Sequence, residues 1–186
     1  MKKYIYRILP ILFAGFFAAA FNGCILDAIN SFPINVPLSF EFFTAGTSSN
    51  LTASDTLILG ENPTYNEYSS NINNITFLEI IFRTDSVSSG LKGDLTVTVT
   101  QGTGGLIPLI SEAFSGITPA DYMNKPLKIS LTDEEKNALN NYLNNSNIPP
   151  GEKTFIGTIN IHVTNGSSPY FIHGYVDIAI QMDTNL

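Results

Sequence analysis

Apolar and polar residues alternate along most of the chain beyond Pro33, which is the pattern of strands that are half-buried on one face. The alternation predicts six strands, at 38–43, 56–59, 75–83, 95–100, 155–163 and 170–182. It is most regular over 95–100, where three aliphatic residues alternate with three threonines. Clusters of Gly, Pro, Asn and Ser separate these runs, as turns do. Six or more strands in succession predict two stacked sheets.

Two pairs of consecutive strands have the spacing of hairpins. The polar segment 85–94 joins strands 75–83 and 95–100, and the turn-forming segment 164–169 joins the last two strands. We therefore expect the members of each pair to be neighbours in one sheet.

One helix is predicted between the strands, from Thr132 to about Asn144. Thr132 with Glu135 three residues later forms the pattern of a capping box. The apolar stripe of the helix consists of Ala138, Leu139, Tyr142 and Leu143. The sequence therefore predicts an all-β, immunoglobulin-like two-sheet sandwich with one short helix over residues 33–186, preceded by a signal peptide.

The amino terminus has the composition of a secretory signal. Lys2, Lys3 and Arg7 precede an uncharged, mostly apolar run of 14 residues from Ile8 to Phe21. This run is shorter than the about 20 residues that a membrane-spanning helix needs, and it fits the apolar region of a signal peptide.

The apolar run ends in Phe21-Asn22-Gly23-Cys24, which resembles the lipobox of bacterial lipoproteins. Gly23 and Cys24 match the pattern, whereas Phe21 and Asn22 replace the usual Leu and small residue. The resemblance implies acyl chains such as palmitate on Cys24 and cleavage after Gly23. The chain would then comprise a signal peptide (1–23), a lipidated tether (24–32) and the sandwich domain (33–186). The alternative is a secretory signal or an uncleaved anchor followed by an incidental cysteine.

The lipobox resemblance also implies a location. Two or three acyl chains on one protein give a stable membrane anchor, whereas a single chain holds a protein only marginally. Ile25 stands where many lipoproteins carry the Asp that retains them at the inner membrane. We therefore expect a cell-envelope protein attached to the outer membrane, on either its periplasmic or its surface face.

Charge and cysteine content narrow the possible partners. The chain has 9 Lys+Arg and 16 Asp+Glu, and removal of residues 1–23 with three of the bases would change its net charge from -7 to -10 (6 − 16). Nucleic-acid binders usually carry a basic patch instead. A single cysteine can form neither an internal disulfide nor a thiolate metal cluster. We expect no nucleic-acid partner and no cofactor, and the sequence leaves open an envelope protein or a glycan as partner.

His162 and His173 are weak candidates for a metal site. Both lie on the polar faces of the last two strands, and one hairpin register would place them opposite each other, with Asp177 as a third ligand for Zn²⁺ or Cu²⁺. Two ligands form a weak site, so we favour the alternative that both are ordinary solvent-facing residues and predict no metal.

Three phenylalanines share the first strand. Phe40 and Phe42 point to one face and Phe43 to the other, because side chains alternate along a strand. We expect the loop 62–74 to bury Phe43, and the alternative is that Phe43 marks a contact surface.

The leading functional hypothesis is a lipid-anchored envelope protein with a non-enzymatic structural or binding role. The chain has no Gly-x-Ser-x-Gly motif, and Ser115 in Phe114-Ser115-Gly116 is only half of one, so we predict no catalytic residues. One alternative is a carrier of an apolar small molecule between the sheets, with Gly157, Gly174 and Ala179 lining a gap. Another is an envelope hydrolase, which would require a Ser–His pair or two adjacent acids.

Overall fold

The structure is a computed structural model that describes residues 31–185. Its strands are β1 (Ser31–Gly46), β2 (Asn50–Ile58), β3 (Ile72–Val87), β4 (Lys92–Gln101), β5 (Pro108–Ile117), β6 (Leu127–Ile129), β7 (Thr154–Asn165) and β8 (Tyr170–Asn185). Its α-helices are α1 (Pro63–Tyr68) and α2 (Asp133–Leu143). The predicted signal peptide and Cys24 lie outside the described residues. The last two residues of the predicted tether, 31 and 32, belong to β1.

The strands form two antiparallel four-stranded sheets that pack face to face. Sheet A has the order β1-β8-β3-β6, and sheet B has the order β2-β7-β4-β5. The predicted two-sheet sandwich is therefore confirmed as an architecture. Its strand order is that of a jelly roll, in which consecutive strands mostly alternate between the two sheets. No helix within residues 31–185 is both long and apolar enough to span a membrane.

Both predicted hairpins are wrong. β3 lies in sheet A, whereas β4 lies in sheet B. Likewise, β8 lies in sheet A and β7 lies in sheet B. Each member of these pairs therefore faces the other across the core instead of sharing backbone hydrogen bonds with it. Alternation cannot distinguish the two arrangements, because a strand buries one face in either case.

The core lies between the inner faces of the two sheets. β8 shows the alternation most clearly, with Ile172, Val176, Ile178, Ile180 and Met182 all buried. Across the core, β4 contributes Leu95, Val97 and Val99. Complete burial of one such side chain is worth about 1.5–3 kcal/mol, so these inner faces provide most of the driving force for folding.

The free edge of β1 is blocked against pairing with another strand. The backbone polar groups of every second residue of β1 point away from β8, towards the free edge. Pro33 and Pro37 are two of these residues, and a proline has no N–H group to offer to another strand. In that set, the N–H of Glu41 donates to Asp55 Oδ2 at 2.9 Å, and the amide of Asn62 donates to the carbonyl of Pro37 at 3.0 Å. Blocked edges of this kind protect a sandwich from edge-to-edge association.

Helix α2 begins as predicted. The Thr132 hydroxyl accepts from the N–H of Glu135 at 3.2 Å, and the Glu135 carboxylate accepts from the N–H of Thr132 at 2.9 Å. The other carboxylate oxygen of Glu135 accepts from the N–H of Ser111 at 3.0 Å, which joins the helix to β5. At the other end, the side chain of Asn144 bonds both backbone groups of Ile75 on β3. The helix therefore links β5 of sheet B to β3 of sheet A.

Candidate functional site

A group of polar and aromatic side chains gathers on the outer face of sheet A, around β8. β8 lies between β1 and β3, and its register places Phe43 beside His173 and both Glu41 and Arg83 beside Tyr175. A β-bulge between Thr84 and Ser86 leaves Asp85 without a partner across the ladder. Bulges commonly redirect a side chain at functional sites. We call this group the outer cluster; it consists of Ser39, Glu41, Phe43, Arg83, Asp85, Phe171, His173, Tyr175 and Asp177.

His173 is the centre of the outer cluster. Its Nε2 lies 2.8 Å from Glu41 Oε1, and its Nδ1 lies 3.2 Å from Asp85 Oδ2. Both ring nitrogens therefore face carboxylate oxygens, one from each neighbouring strand. The two contacts connect β1, β8 and β3 through one imidazole ring.

The second half of the cluster is built on Asp177. Its carboxylate lies 2.6 Å from Arg83 Nε and accepts a hydrogen bond from the Ser39 hydroxyl. The Arg83 guanidinium stacks on the Tyr175 ring, 3.9 Å from its centroid. Partial burial and the carboxylates of Glu41 and Asp85 raise the pKa of Tyr175, while Arg83 opposes this shift. Tyr175 is thus a neutral hydrogen-bond donor, and its hydroxyl lies 3.4 Å from Glu41 Oε1.

Two exposed aromatic rings border the charged groups. Phe43 is 66% exposed and Phe171 is 38% exposed. They are diagonal neighbours, because Phe43 pairs with His173 and Ala45 pairs with Phe171. The ring centroid of Phe43 lies 6.3 Å from that of His173 in an edge-to-face arrangement. The expected burial of Phe43 under the loop 62–74 is therefore wrong.

The proposed pairing of His162 with His173 is also wrong. His162 lies on β7 in sheet B, where its Nδ1 is 2.8 Å from Asn50 Oδ1, so the two histidines occupy the outer faces of different sheets. Asp177 already pairs with Arg83. The carboxylates beside His173 approach opposite ring nitrogens and could not bind one ion together with the ring. Within the described part of the chain, no three His, Cys, Asp or Glu side chains are grouped for a metal.

Two groups that the hydrolase alternative could use, Ser39 and Glu135, make other contacts. Ser39 donates to Asp177 rather than to His173. Two acids, Glu112 and Glu135, do lie close together: burial and then the neighbouring Glu135 raise the pKa of Glu112. The net shift of the Glu135 pKa is downward, because hydrogen bonds from Ser111 and Thr132 outweigh a partial burial that acts in the opposite direction. Glu135 is thus occupied by helix capping. Ser115 is exposed on β5 and has no histidine opposite it in the β4–β5 ladder.

The small residues suggested for an interior gap do not line one. A Cβ on Gly157 would lie 2.8 Å from the Phe40 ring, so that ring already occupies the space. A Cβ on Gly174 would lie 2.6 Å from the Arg83 carbonyl oxygen, where β3 approaches closely. Ala179 belongs to the outward-facing set of β8. A cavity of 320 Å³ opens instead at the edge where β1, β2 and the following turn meet.

Comparison with known proteins reveals similarity in fold alone. No protein-family model matches the chain, and no curated protein matches it. A structure of Desmodium yellow mottle tymovirus aligns with 84% of this chain and 89% of its own at 10% identity and a TM-score of 0.37. A structure of turnip yellow mosaic virus at 100 K aligns with 83% of this chain and 94% of its own, at 11% identity and a TM-score of 0.36. A structure of the infectious bursal disease virus Gx strain aligns with 83% of this chain and 32% of its own, at 13% identity and a TM-score of 0.30.

Sequence reasoning named His173, Asp177 and Phe43 but missed their partners. Glu41 and His173 are 132 residues apart, and Arg83 and Asp177 are 94 apart. The available signal was the alternation of inward and outward side chains: each of these residues occupies an outward position of its strand. Alternation identifies the face on which a side chain lies, whereas the neighbours of that side chain depend on the strand order.

Proposed function

We propose that the protein is a lipoprotein of the cell envelope, anchored through Cys24, whose sandwich binds a partner protein through the outer cluster. The observation that carries the binding role is the exposure of Phe43 beside Phe171, on a strand whose other large apolar residues are buried or half-buried. The motif Phe21-Asn22-Gly23-Cys24 supports the anchor.

The position of the outer cluster suits an anchored protein. β1 begins at Ser31, seven residues after Cys24 (31 − 24), and seven residues span at most about 25 Å. Phe43 lies twelve residues further along the same strand, which is about 40 Å at 3.3 Å per residue. These lengths keep the aromatic end of sheet A at least about 15 Å (40 − 25) from the attachment point, where another envelope protein can reach it.

The chemistry of the outer cluster indicates a basic partner. Aromatic residues, Phe included, are enriched at the centres of protein interfaces, and the rims of interfaces are polar. The side chains of Glu41 and Asp85 are each 62% exposed beside the phenylalanines, so their free oxygens can accept further hydrogen bonds. Electrostatic complementarity then favours a segment that presents Lys or Arg next to aliphatic side chains. The net charge of -10 expected for the lipidated chain also favours a basic partner.

Replacement of the acyl acceptor tests the anchor. Cys24→Ser leaves no thiol for acylation, so the variant should incorporate no radiolabelled palmitate and should leave the detergent-extracted membrane fraction. Wild-type protein processed in the same cells is the control. A Ser variant that is labelled and fractionates like the wild type would contradict the lipoprotein proposal.

Site-specific photo-crosslinking in intact cells tests the binding face. A photoreactive phenylalanine analogue at position 43 should give a covalent adduct, whereas the same analogue at Thr52, on the outer face of sheet B, should not. Combining the probe with Glu41→Gln and Asp85→Asn should reduce the adduct about threefold to tenfold, since two charge pairs are lost.

The nature of the adduct decides between partner classes. A protein partner predicts an adduct that muramidase leaves intact. An adduct removed by muramidase would indicate a glycan and overturn the proposed protein partner. Equal adducts from positions 43 and 52 would show that the outer cluster is not a binding face.

A further inference from the structure

A second candidate site lies at the other end of the sandwich. A pocket of 130 Å³ opens between α1, the start of β3 and the end of α2. Its lining residues are Tyr65, Ser69, Ile72, Asn73, Ile75, Leu143, Asn144 and Lys153. The pocket is close to the start of β1, because Ile72 and Phe32 both pair with Thr184. None of its lining residues belongs to the outer cluster.

Lys153 brings a positive charge to this pocket, and none of the described residues provides a negative partner. The residue is only 4% exposed, and its backbone is held by a 2.8 Å hydrogen bond from Leu59 N–H to its carbonyl. Among residues 31–185, no carboxylate lies within 4 Å of the ammonium group, and burial lowers the pKa of Lys153. The aliphatic stem accounts for the burial of the residue, because no buried side-chain nitrogen or oxygen of the described residues lacks a hydrogen-bond partner. The ammonium is a cation that lines the pocket, and its charge favours an anion as the ligand.

Tyr65 supplies a second donor to the same pocket. It is 2% exposed, and its place at the start of α1 is set by a 3.0 Å hydrogen bond from its N–H to Asn62 Oδ1. Burial raises the pKa of Tyr65 to about 12, so the hydroxyl keeps its proton at neutral pH. Within the described chain this hydroxyl makes no hydrogen bond to another side chain or to the backbone.

The remaining polar groups of the pocket are already engaged. The side chain of Asn144 bonds both backbone groups of Ile75, and its amide also donates to the Asn140 carbonyl. Asn73 exchanges hydrogen bonds with Asn185, and Ser69 donates to the carbonyl of Asn66. Two side-chain donors, the ammonium of Lys153 and the hydroxyl of Tyr65, therefore remain for a ligand.

We infer that this pocket binds a small organic carboxylate, whose two oxygens accept from Lys153 Nζ and Tyr65 Oη. The short aliphatic part of such an acid would contact Ile72, Ile75 and Leu143, which line the same pocket. The volume equals that of about four water molecules at about 30 Å³ each, which suits an acid of three or four carbons. A phosphate ion presents four oxygens to two donors and has no apolar part, so it fits less well.

Titration of the full-length protein in detergent tests this inference, with butyrate as the probe. Calorimetry should show saturable binding with a Kd of about 1 mM, a value reasonable for a six-atom ligand. Lys153→Met keeps the aliphatic stem and removes the charge, so the affinity should fall at least about tenfold. Tyr65→Phe keeps the ring and removes the hydroxyl, and should weaken binding about threefold to tenfold. Lys92→Met, on an exposed lysine of β4, is the matched control and should bind like the wild type.

The outcomes separate the alternatives. Absence of saturable butyrate binding to the wild type, or equal affinity in the wild type and Tyr65→Phe, would overturn the inference. A further contrary result is that inorganic phosphate binds more tightly than butyrate, with the same dependence on Lys153. That result would identify phosphate as the ligand and would also overturn the inference of a carboxylate. If Lys153→Met does not fold, the comparison of Tyr65→Phe with the wild type still decides the question.

Discussion

Val176→Asp is expected to destabilise the protein more than any other substitution considered. Val176 is fully buried on β8, and the register of sheet A places it between Phe40 of β1 and Phe82 of β3. A carboxylate at this position loses its hydration and finds only apolar neighbours, at a cost of several kcal/mol. The total stability of a domain is about 5–15 kcal/mol. We expect a fall in Tm of more than about 10 °C, or no folded protein, in a thermal unfolding experiment.

Asp177→Val is the matched control for this prediction. Residue 177 faces outward, so the change does not affect the core, but it removes the partner of Arg83 and Ser39. A partly exposed ion pair contributes about 0–1 kcal/mol, and the expected loss of stability is of that size. The sequence alone predicts that this substitution is nearly neutral. The structure adds the ion pair with Arg83, and its loss is the reason why we expect a small decrease in the free energy of unfolding. Equal effects of the two substitutions would refute the assigned inner and outer faces of β8.

Gly157→Val is expected to cost about 1–3 kcal/mol, because it overfills a packed core. The new Cβ would lie 2.8 Å from two atoms of the Phe40 ring, which is itself buried. Neither the ring nor β7 can move without displacing other core residues. Urea unfolding should show a lower midpoint with an unchanged slope.

The sign of the Gly157→Val effect also separates two functions. Glycine is unfavourable within a strand, so valine beside an empty space would stabilise β7. A higher midpoint would therefore reveal an interior gap and support the alternative of a carrier for an apolar molecule. Gly151→Ala is the control: a Cβ there meets no heavy atom within 4 Å, and we expect a change within about 0.5 kcal/mol. Combining Gly157→Val with Phe40→Leu should recover part of the loss if the contact is the cause.

Features that depend on nearby residues were predictable. The capping box of Thr132 and Glu135 spans four residues and is present as expected. The alternation over 170–182 assigned Val176, Ile178 and Ile180 to the core, where all three are buried. The anchor at Cys24 rests on the adjacent apolar run and stays a prediction.

The strands that sequence analysis missed have irregular or minimal patterns. β5 buries the adjacent residues Leu109 and Ile110, and its ladder with β4 contains two register shifts, so its apolar residues do not alternate. β6 has three residues, too few for a period to be recognised. Their pairing partners, rather than their own sequences, define both strands.

The sequence by itself determined which residues of the regularly alternating strands face inward and where the helix begins, since both follow from the order of side chains within a few residues. Only the tertiary structure decided which strands are neighbours, and therefore that His173 meets Glu41 and Asp85 while His162 lies on the other sheet. It also brought Tyr65 and Lys153, 88 residues apart (153 − 65), to one pocket. The physical reason is that a strand shows the same alternation whether its partner is hydrogen-bonded beside it or packed against it across the core.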